Sequence, residues 1–200
     1  MKVLACTGGI GSGKTYICKI FMKMGIPVYF SDDKTKELYD RDKELMNGMI
    51  DLLGGDIIEN GRLNRERVAR KIFSNPMLLY NVEKLVHPAV VRDFCNWKED
   101  IMMSGQIPPF VIFESAIILE KPYVRSAIAD KILTISAPID VRVERIMKRD
   151  SVNETEARRR LDLQWDDKKR EAESDFIIFA GSSMALLPQI EDVYKQMSDL

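Results

Sequence analysis

Short apolar runs that alternate with helical patterns predict an α/β domain, three layers deep (α/β/α), around a five-stranded parallel sheet. A glycine-rich run between the first apolar run and the first helical pattern supports this, because such sheets carry their ligand loops at strand ends. A block of almost purely helical pattern between the second and third runs predicts an insertion.

The elements follow in order. Lys2–Thr7 reads as a buried strand. Ile17, Ile20, Phe21 and Met24 then recur at helical spacing, and Gly25 is a natural stop. Val28–Phe30 is the second apolar run, and Asp32 and Asp33 stand where a helix can begin. Residues 33–106 carry three apolar faces. The first is Val68, Ala69, Ile72 and Phe73; the second runs Leu78 to Val86; the third runs Val90 to Ile101. Asn60-Gly61 marks a turn inside this block. Phe110–Phe113, Lys131–Ile135 and Phe176–Phe179 complete the five strands, with helical patterns over Val141–Lys148, Glu154–Asp167 and Ala185–Met197.

The bulk properties narrow the class. Two hundred residues, 46% hydrophobic, favour one domain with a sizeable core. Thirty basic residues nearly cancel 31 acidic ones, which argues against a nucleic-acid binder. No apolar run approaches the roughly 18 residues of a membrane span. Cys6, Cys18 and Cys95 show no C-x-x-C spacing and read as reduced core thiols. A soluble, cytoplasmic protein is expected.

Residues Gly8-Gly9-Ile10-Gly11-Ser12-Gly13-Lys14-Thr15 satisfy G-x-x-x-x-G-K-[ST], the P-loop pattern. Its glycines let backbone N–H groups converge on an anion, and the following helix adds its own donors and dipole. Gly9, Gly11, Ser12, Gly13, Lys14, Thr15 and the backbone of Tyr16 are therefore the expected nucleotide contacts. Lys14 reaches the β- and γ-phosphates and the Thr15 hydroxyl meets Mg²⁺. GTPase switches, ATPases and small-molecule kinases all use such a loop.

Three features favour a kinase. Asp32 follows the second strand, at the sheet end that carries the loop, where a carboxylate can take a hydroxyl proton; the competing role is a helix cap. Val111-Ile112-Phe113-Glu114 is an apolar strand that ends in an acid, suited to hold Mg²⁺ through water. Arg145 and Arg149 stand at i,i+4 on one helix, before a run with Arg158, Arg159 and Arg160. An arginine-bearing lid neutralises transferring charge and excludes water. The expected division is a nucleotide-binding core of residues 1–32, 107–141 and 171–200, a helical acceptor-binding insertion of 33–106, and a lid of 142–170.

Together these segments resemble the dephospho-coenzyme A kinase family. The likeness runs from Leu4-Ala5-Cys6-Thr7 and the loop through Gly25-Ile26-Pro27-Val28 to Asp32, then Leu63, Arg65, Val68 and Ile72-Phe73. It continues through Leu85-Val86-His87-Pro88, Ile117-Ile118-Leu119-Glu120, Arg145 to Arg149-Asp150, Gln164, and Ser174-Asp175-Phe176. The resemblance implies a P-loop kinase fold and transfer of the ATP γ-phosphate to the ribose 3′-hydroxyl of dephospho-coenzyme A, with Mg²⁺. It implies Asp32 as base, Lys14, Arg145 and Arg149 as phosphate neutralisers, and Arg145 stacked on adenine. His87, Glu120 and Arg65 become acceptor-side residues. The chain departs from the family pattern at Phe30, where an acid is common, at Ala116 for Pro, at Tyr16 for Ser or Thr, and at Ala180 for Asn.

Other readings are a different nucleoside or nucleotide kinase on the same scaffold, a protein that only binds nucleotide, and a GTP-binding switch. The segment after Lys131–Ser136 is Ala137-Pro138 and lacks the N/T-K-x-D run of the switch.

Overall fold

The structure, a computed structural model, describes residues 1–73, 75–181 and 184–200. In chain order, β1 (Lys2–Thr7), α1 (Lys14–Lys23), β2 (Val28–Phe30), α2 (Ser31–Arg41) and α3 (Lys43–Leu53) come first. The short strands β3 (Ile58–Glu59) and β4 (Arg62–Leu63) precede α4 (Arg65–Phe73) and α5 (Pro76–Met103). Then follow β5 (Phe110–Glu114), α6 (Pro122–Ile128), β6 (Lys131–Ser136) and α7 (Ile139–Asp150). The chain closes with α8 (Glu154–Asp162), α9 (Asp167–Ala172), β7 (Phe176–Phe179) and α10 (Leu186–Ser198). The chain divides into two compact units, Met1–Tyr29 with Ile101–Leu200, and Phe30–Asp100.

The first unit is built on the five-stranded sheet, in the order β2-β5-β1-β6-β7, flanked by helices. β1 pairs parallel with both β5 and β6, and β6 pairs parallel with β7. Position in the sheet explains each strand's composition. β1, β5 and β6 are internal and buried on both faces, so they are apolar almost without break. β2 and β7 lie at the edges and keep partly exposed residues. Aromatic contacts fill the layers: Phe110 meets Phe21 edge-on at 6.2 Å and Tyr194 at 5.8 Å, and Tyr29 stacks on Phe113 at 5.4 Å.

The topology also opens a site. From β1 the chain turns toward β2, whereas after β5 it crosses to β6 on the other side of β1. Such a reversal leaves a crevice at the carboxyl ends of β1 and β5. Cys6 is in register with Glu114, and the Ser115 N–H donates to the Cys6 carbonyl at 3.0 Å. The end of β5 is thereby fixed beside the start of the glycine loop.

The second unit is helical apart from the β3–β4 hairpin. Its two-residue turn is Asn60-Gly61, with φ of 51° and 75°. Two positive φ values match the right-handed twist of the strands and suit Asn-Gly. The Asp42 carboxylate caps α3 by accepting from Leu45 N–H at 3.0 Å, and Asn64 caps α4 through Arg67 N–H at 3.1 Å.

Two sequence expectations are refined. The second and third apolar faces of the insertion belong to one 28-residue helix, α5, which carries Pro88 inside it. Proline brings no N–H for the carbonyl four residues back, yet the helix continues, with Val82, Ala89, Val90 and Phe94 buried. The charged pattern Glu154–Asp167 is not one helix: α8 ends at Asp162, and Gln164 N–H closes a tight turn on the Leu161 carbonyl at 3.0 Å before α9 begins.

Candidate active site

The glycine loop links β1 to α1, and its shape explains its composition. Gly8 has φ of 148°, and a Cβ there would lie 2.3 Å from the Ile135 carbonyl oxygen of the neighbouring strand. Gly11 has φ of 77°, and a Cβ there would lie 2.7 Å from the Arg142 carbonyl oxygen. Only glycine fits either place. Gly13 caps α1 and offers no side chain to its amides. The first bond of the helix runs from Ile17 N–H to the Gly13 carbonyl at 3.1 Å. The amides of Thr15 and Tyr16 therefore precede the ladder, as donors for an anion. The Ser12 hydroxyl is buried and, among the described residues, has no hydrogen-bond partner. A phosphate oxygen would satisfy it.

Two cations, Lys14 and Arg145, bond the loop's carbonyls. Lys14 Nζ donates to the loop's own carbonyls, Gly8 at 2.8 Å and Gly9 at 3.4 Å. Arg145 Nη1 reaches the Gly11 and Ser12 carbonyls at 3.2 and 3.1 Å, and its Nη2 reaches the Ala180 carbonyl at 2.9 Å. This last contact uses the backbone, so it does not depend on the side chain at the position where the family commonly has Asn. Arg149 lies one turn further along α7 and is held by Asp150, with Nε to Oδ1 at 2.7 Å. That hydrogen bond lifts the guanidinium's pKa above its ordinary value. Arg158, Arg159 and Arg160 pair with Glu154 and Glu156 on their own helix.

Magnesium chemistry has a fitting donor set. Among the described residues no three His, Cys, Asp or Glu side chains cluster as a metal cage. A P-loop cation needs none, because Mg²⁺ keeps its waters and takes phosphate oxygens with one or two protein groups. Thr15 is exposed in the first turn of α1, and Glu114 is buried at the end of β5, beside Cys6. Glu114 is thus not the solvated acid that a strand end more often carries.

One residue of this site escaped the sequence reading. Arg142 is 4% exposed and packs beneath the loop. Its Nε donates to the Ile10 carbonyl at 2.9 Å, and its Nη1 bonds the Asp167 carboxylate. A Cβ on Gly9 would sit 2.0 Å from its Nη2. Burial pulls the Arg142 pKa down, and Asp167 opposes the shift. Asp167 also accepts from the buried Arg170 at 2.9 Å, and Arg170 Nη2 lies 3.9 Å from Glu120 Oε1. Glu120 is therefore tied to this same chain of charges.

The remaining candidates lie in the second unit. Asp32 is exposed, in the first turn of α2. The N-cap there is Phe30, with no side-chain cap, so Asp32 is not the cap that its sequence position also allowed. His87 is half-buried on α5, directly before Pro88. Arg65 opens α4; burial pushes the Tyr39 hydroxyl pKa up and the Arg65 charge partly offsets it.

Known proteins extend the comparison. The family model described as dephospho-CoA kinase matches residues 2–185. A dephospho-CoA kinase of Porphyromonas gingivalis is 35% identical over 191 residues, 95% of this chain and 91% of the relative. A crystal structure from Thermus thermophilus superposes with a TM-score of 0.78 at 26% identity, covering 98% of this chain and 95% of that one. A dephospho-CoA kinase from Campylobacter jejuni shares the fold, with a TM-score of 0.65 at 20% identity over 100% of this chain and 98% of its own. With the family match running through nearly its whole length, this chain belongs to the dephospho-CoA kinase family.

Proposed function

We infer that this chain transfers the γ-phosphate of ATP to the ribose 3′-hydroxyl of dephospho-coenzyme A. The observation that carries this reading is the family match over residues 2–185, joined to a loop whose amides and buried Ser12 hydroxyl suit a phosphate chain. The 3′-oxygen attacks the γ-phosphorus, the bond to the β-phosphate oxygen breaks, ADP leaves, and the hydroxyl proton goes to Asp32. What supports Asp32 is its place two residues beyond β2, in a helix turn where it makes no cap.

Little covalent work falls to the protein in phosphoryl transfer; positioning and charge stabilisation do most of it. Lys14 exchanges the Gly8 and Gly9 carbonyls for phosphate oxygens. Arg145, already at the loop, neutralises the spreading charge and offers its guanidinium face to adenine; Arg149 joins it by leaving Asp150. His87, Arg65 and Glu120 serve the acceptor. When bound, Mg²⁺ would supply neutralisation of the phosphates' charge. Thr15 would give it a hydroxyl ligand and Glu114 would hold its water. The cytoplasm is the compartment this reading implies.

Nucleotide release tests the reading. ADP appearing only when dephospho-coenzyme A accompanies ATP supports it. ADP appearing with a nucleoside monophosphate, and not with dephospho-coenzyme A, contradicts it.

A further inference from the structure

The middle residue of the glycine loop is gripped from three sides. Ile10 N–H donates to Gln164 Oε1 at 2.7 Å, and the Ile10 carbonyl accepts from Arg142 Nε at 2.9 Å. Its side chain packs on a small apolar cluster of Val143, Ile146 and Ala157 between α7 and α8. Both polar atoms of one loop residue, and its side chain, are thus held by α7 and by the segment that runs from α8 to α9. Gln164 sits in the α8–α9 turn, and Asp167, at the start of α9, anchors Arg142.

This arrangement gives the loop's glycines a second reason. On one face they admit phosphate. On the other, a Cβ on Gly11 would strike the Arg142 backbone, and one on Gly9 would displace the Arg142 guanidinium. A loop of this kind binds phosphate only in one backbone form, because its N–H groups must converge. Glycines allow many forms, so something outside the loop has to select that one.

We propose that Gln164 and Arg142 are positioning residues for the donor nucleotide: by clamping both backbone polar atoms of Ile10 they hold the loop in its phosphate-binding form. Neither residue touches the nucleotide. Each acts through the Ile10 peptide, and the α8–α9 turn sets how well the loop grips. The inference rests on the kinase reading for its importance, but its test does not need the acceptor.

The decisive comparison is at Gln164, which is half-buried. Gln164→Met keeps the length of the side chain and removes the acceptor for Ile10 N–H; Gln164→Glu keeps an acceptor oxygen. ADP affinity is measured by titration calorimetry on the full chain, with KM for ATP and for dephospho-coenzyme A beside it. A melting curve controls for folding. Loss of one such hydrogen bond from a buried amide is expected to weaken ADP and raise the ATP KM about tenfold for Gln164→Met. The KM for dephospho-coenzyme A should stay within about twofold, and Gln164→Glu should recover most of the ADP affinity. Parental ADP affinity in Gln164→Met overturns the proposal. So does an equal loss in Gln164→Met and Gln164→Glu, or an equal rise in both KM values with a fallen melting temperature. Arg142→Lys, which keeps the charge but loses the Nε donor, should show the same selective loss for nucleotide. If the parent binds ADP but ignores dephospho-coenzyme A, the acceptor reading falls while the ADP titrations still decide the clamp.

Discussion

Arg142 and Asp167 form a buried ion pair beneath the phosphate loop, 25 residues apart in sequence. Asp167 is the common partner of two arginines, Arg142 and Arg170, that are 4% and 1% exposed. A carboxylate shared in this way offsets the desolvation of both guanidinium groups.

Asp167→Asn therefore leaves the buried Arg142 without its counter-charge and Arg170 with Glu120 alone, 3.9 Å away. Breaking a buried pair costs about 3–5 kcal/mol. Urea unfolding should register a loss of that order, and Asp166→Asn, at an exposed position, should lose far less. Equal stability in the two variants would mean that Asp167 does not compensate these arginines.

Gly11→Ala meets two obstacles at once, a φ of 77° and a Cβ 2.7 Å from the Arg142 carbonyl oxygen. The oxygen belongs to the backbone of α7 and cannot swing aside. The loop must deform, and ADP affinity should fall by tenfold or more. Calorimetric titration with ADP checks it. An unchanged affinity would show that the loop tolerates the deformation.

Asp32→Asn keeps the size of the side chain and removes its basicity. General-base contributions run to about a hundredfold or more, so turnover should drop by at least that factor while ATP binding stays near the parent's. Turnover equal to the parent's would remove Asp32 from the chemistry.

Glu156 accepts from Arg159 and Arg160, and those hydrogen bonds pull its pKa from 4.5 to about 2. The folded value lies below the unfolded one. The contribution of this carboxylate is therefore complete above about pH 4.5 and is lost as pH falls toward 2. A carbon-detected titration of the Glu156 carboxyl should show a midpoint well below that of free glutamate. A midpoint at the ordinary value would mean that the α8 pairs do not persist in solution.

The sheet was highly legible because internal parallel strands are written as apolar runs. Lys2–Thr7, Val28–Phe30 and Phe176–Phe179 have the predicted bounds, and the other two strands extend by one residue. The loop was legible because its chemistry demands residue types at fixed spacing. Arg142 was not, since a charged residue in a charged helix reads as solvated. A signal was present: on α7 it lies next to Val143 and four residues before Ile146, both buried. Gln164 stood out in sequence, but only the fold brings it to Ile10, 154 positions away. The continuity of α5 through Pro88 was hidden because periodicity alone cannot tell a tolerated proline from a helix stop.

The most direct measurement is the mass and regiochemistry of the product formed from ATP, Mg²⁺ and dephospho-coenzyme A by the purified chain. Conversion to a product heavier by one phosphate, with phosphorus NMR placing that phosphate on the 3′-oxygen, is the predicted result. No added phosphate on dephospho-coenzyme A, with phosphate passed instead to a nucleoside monophosphate, would contradict it.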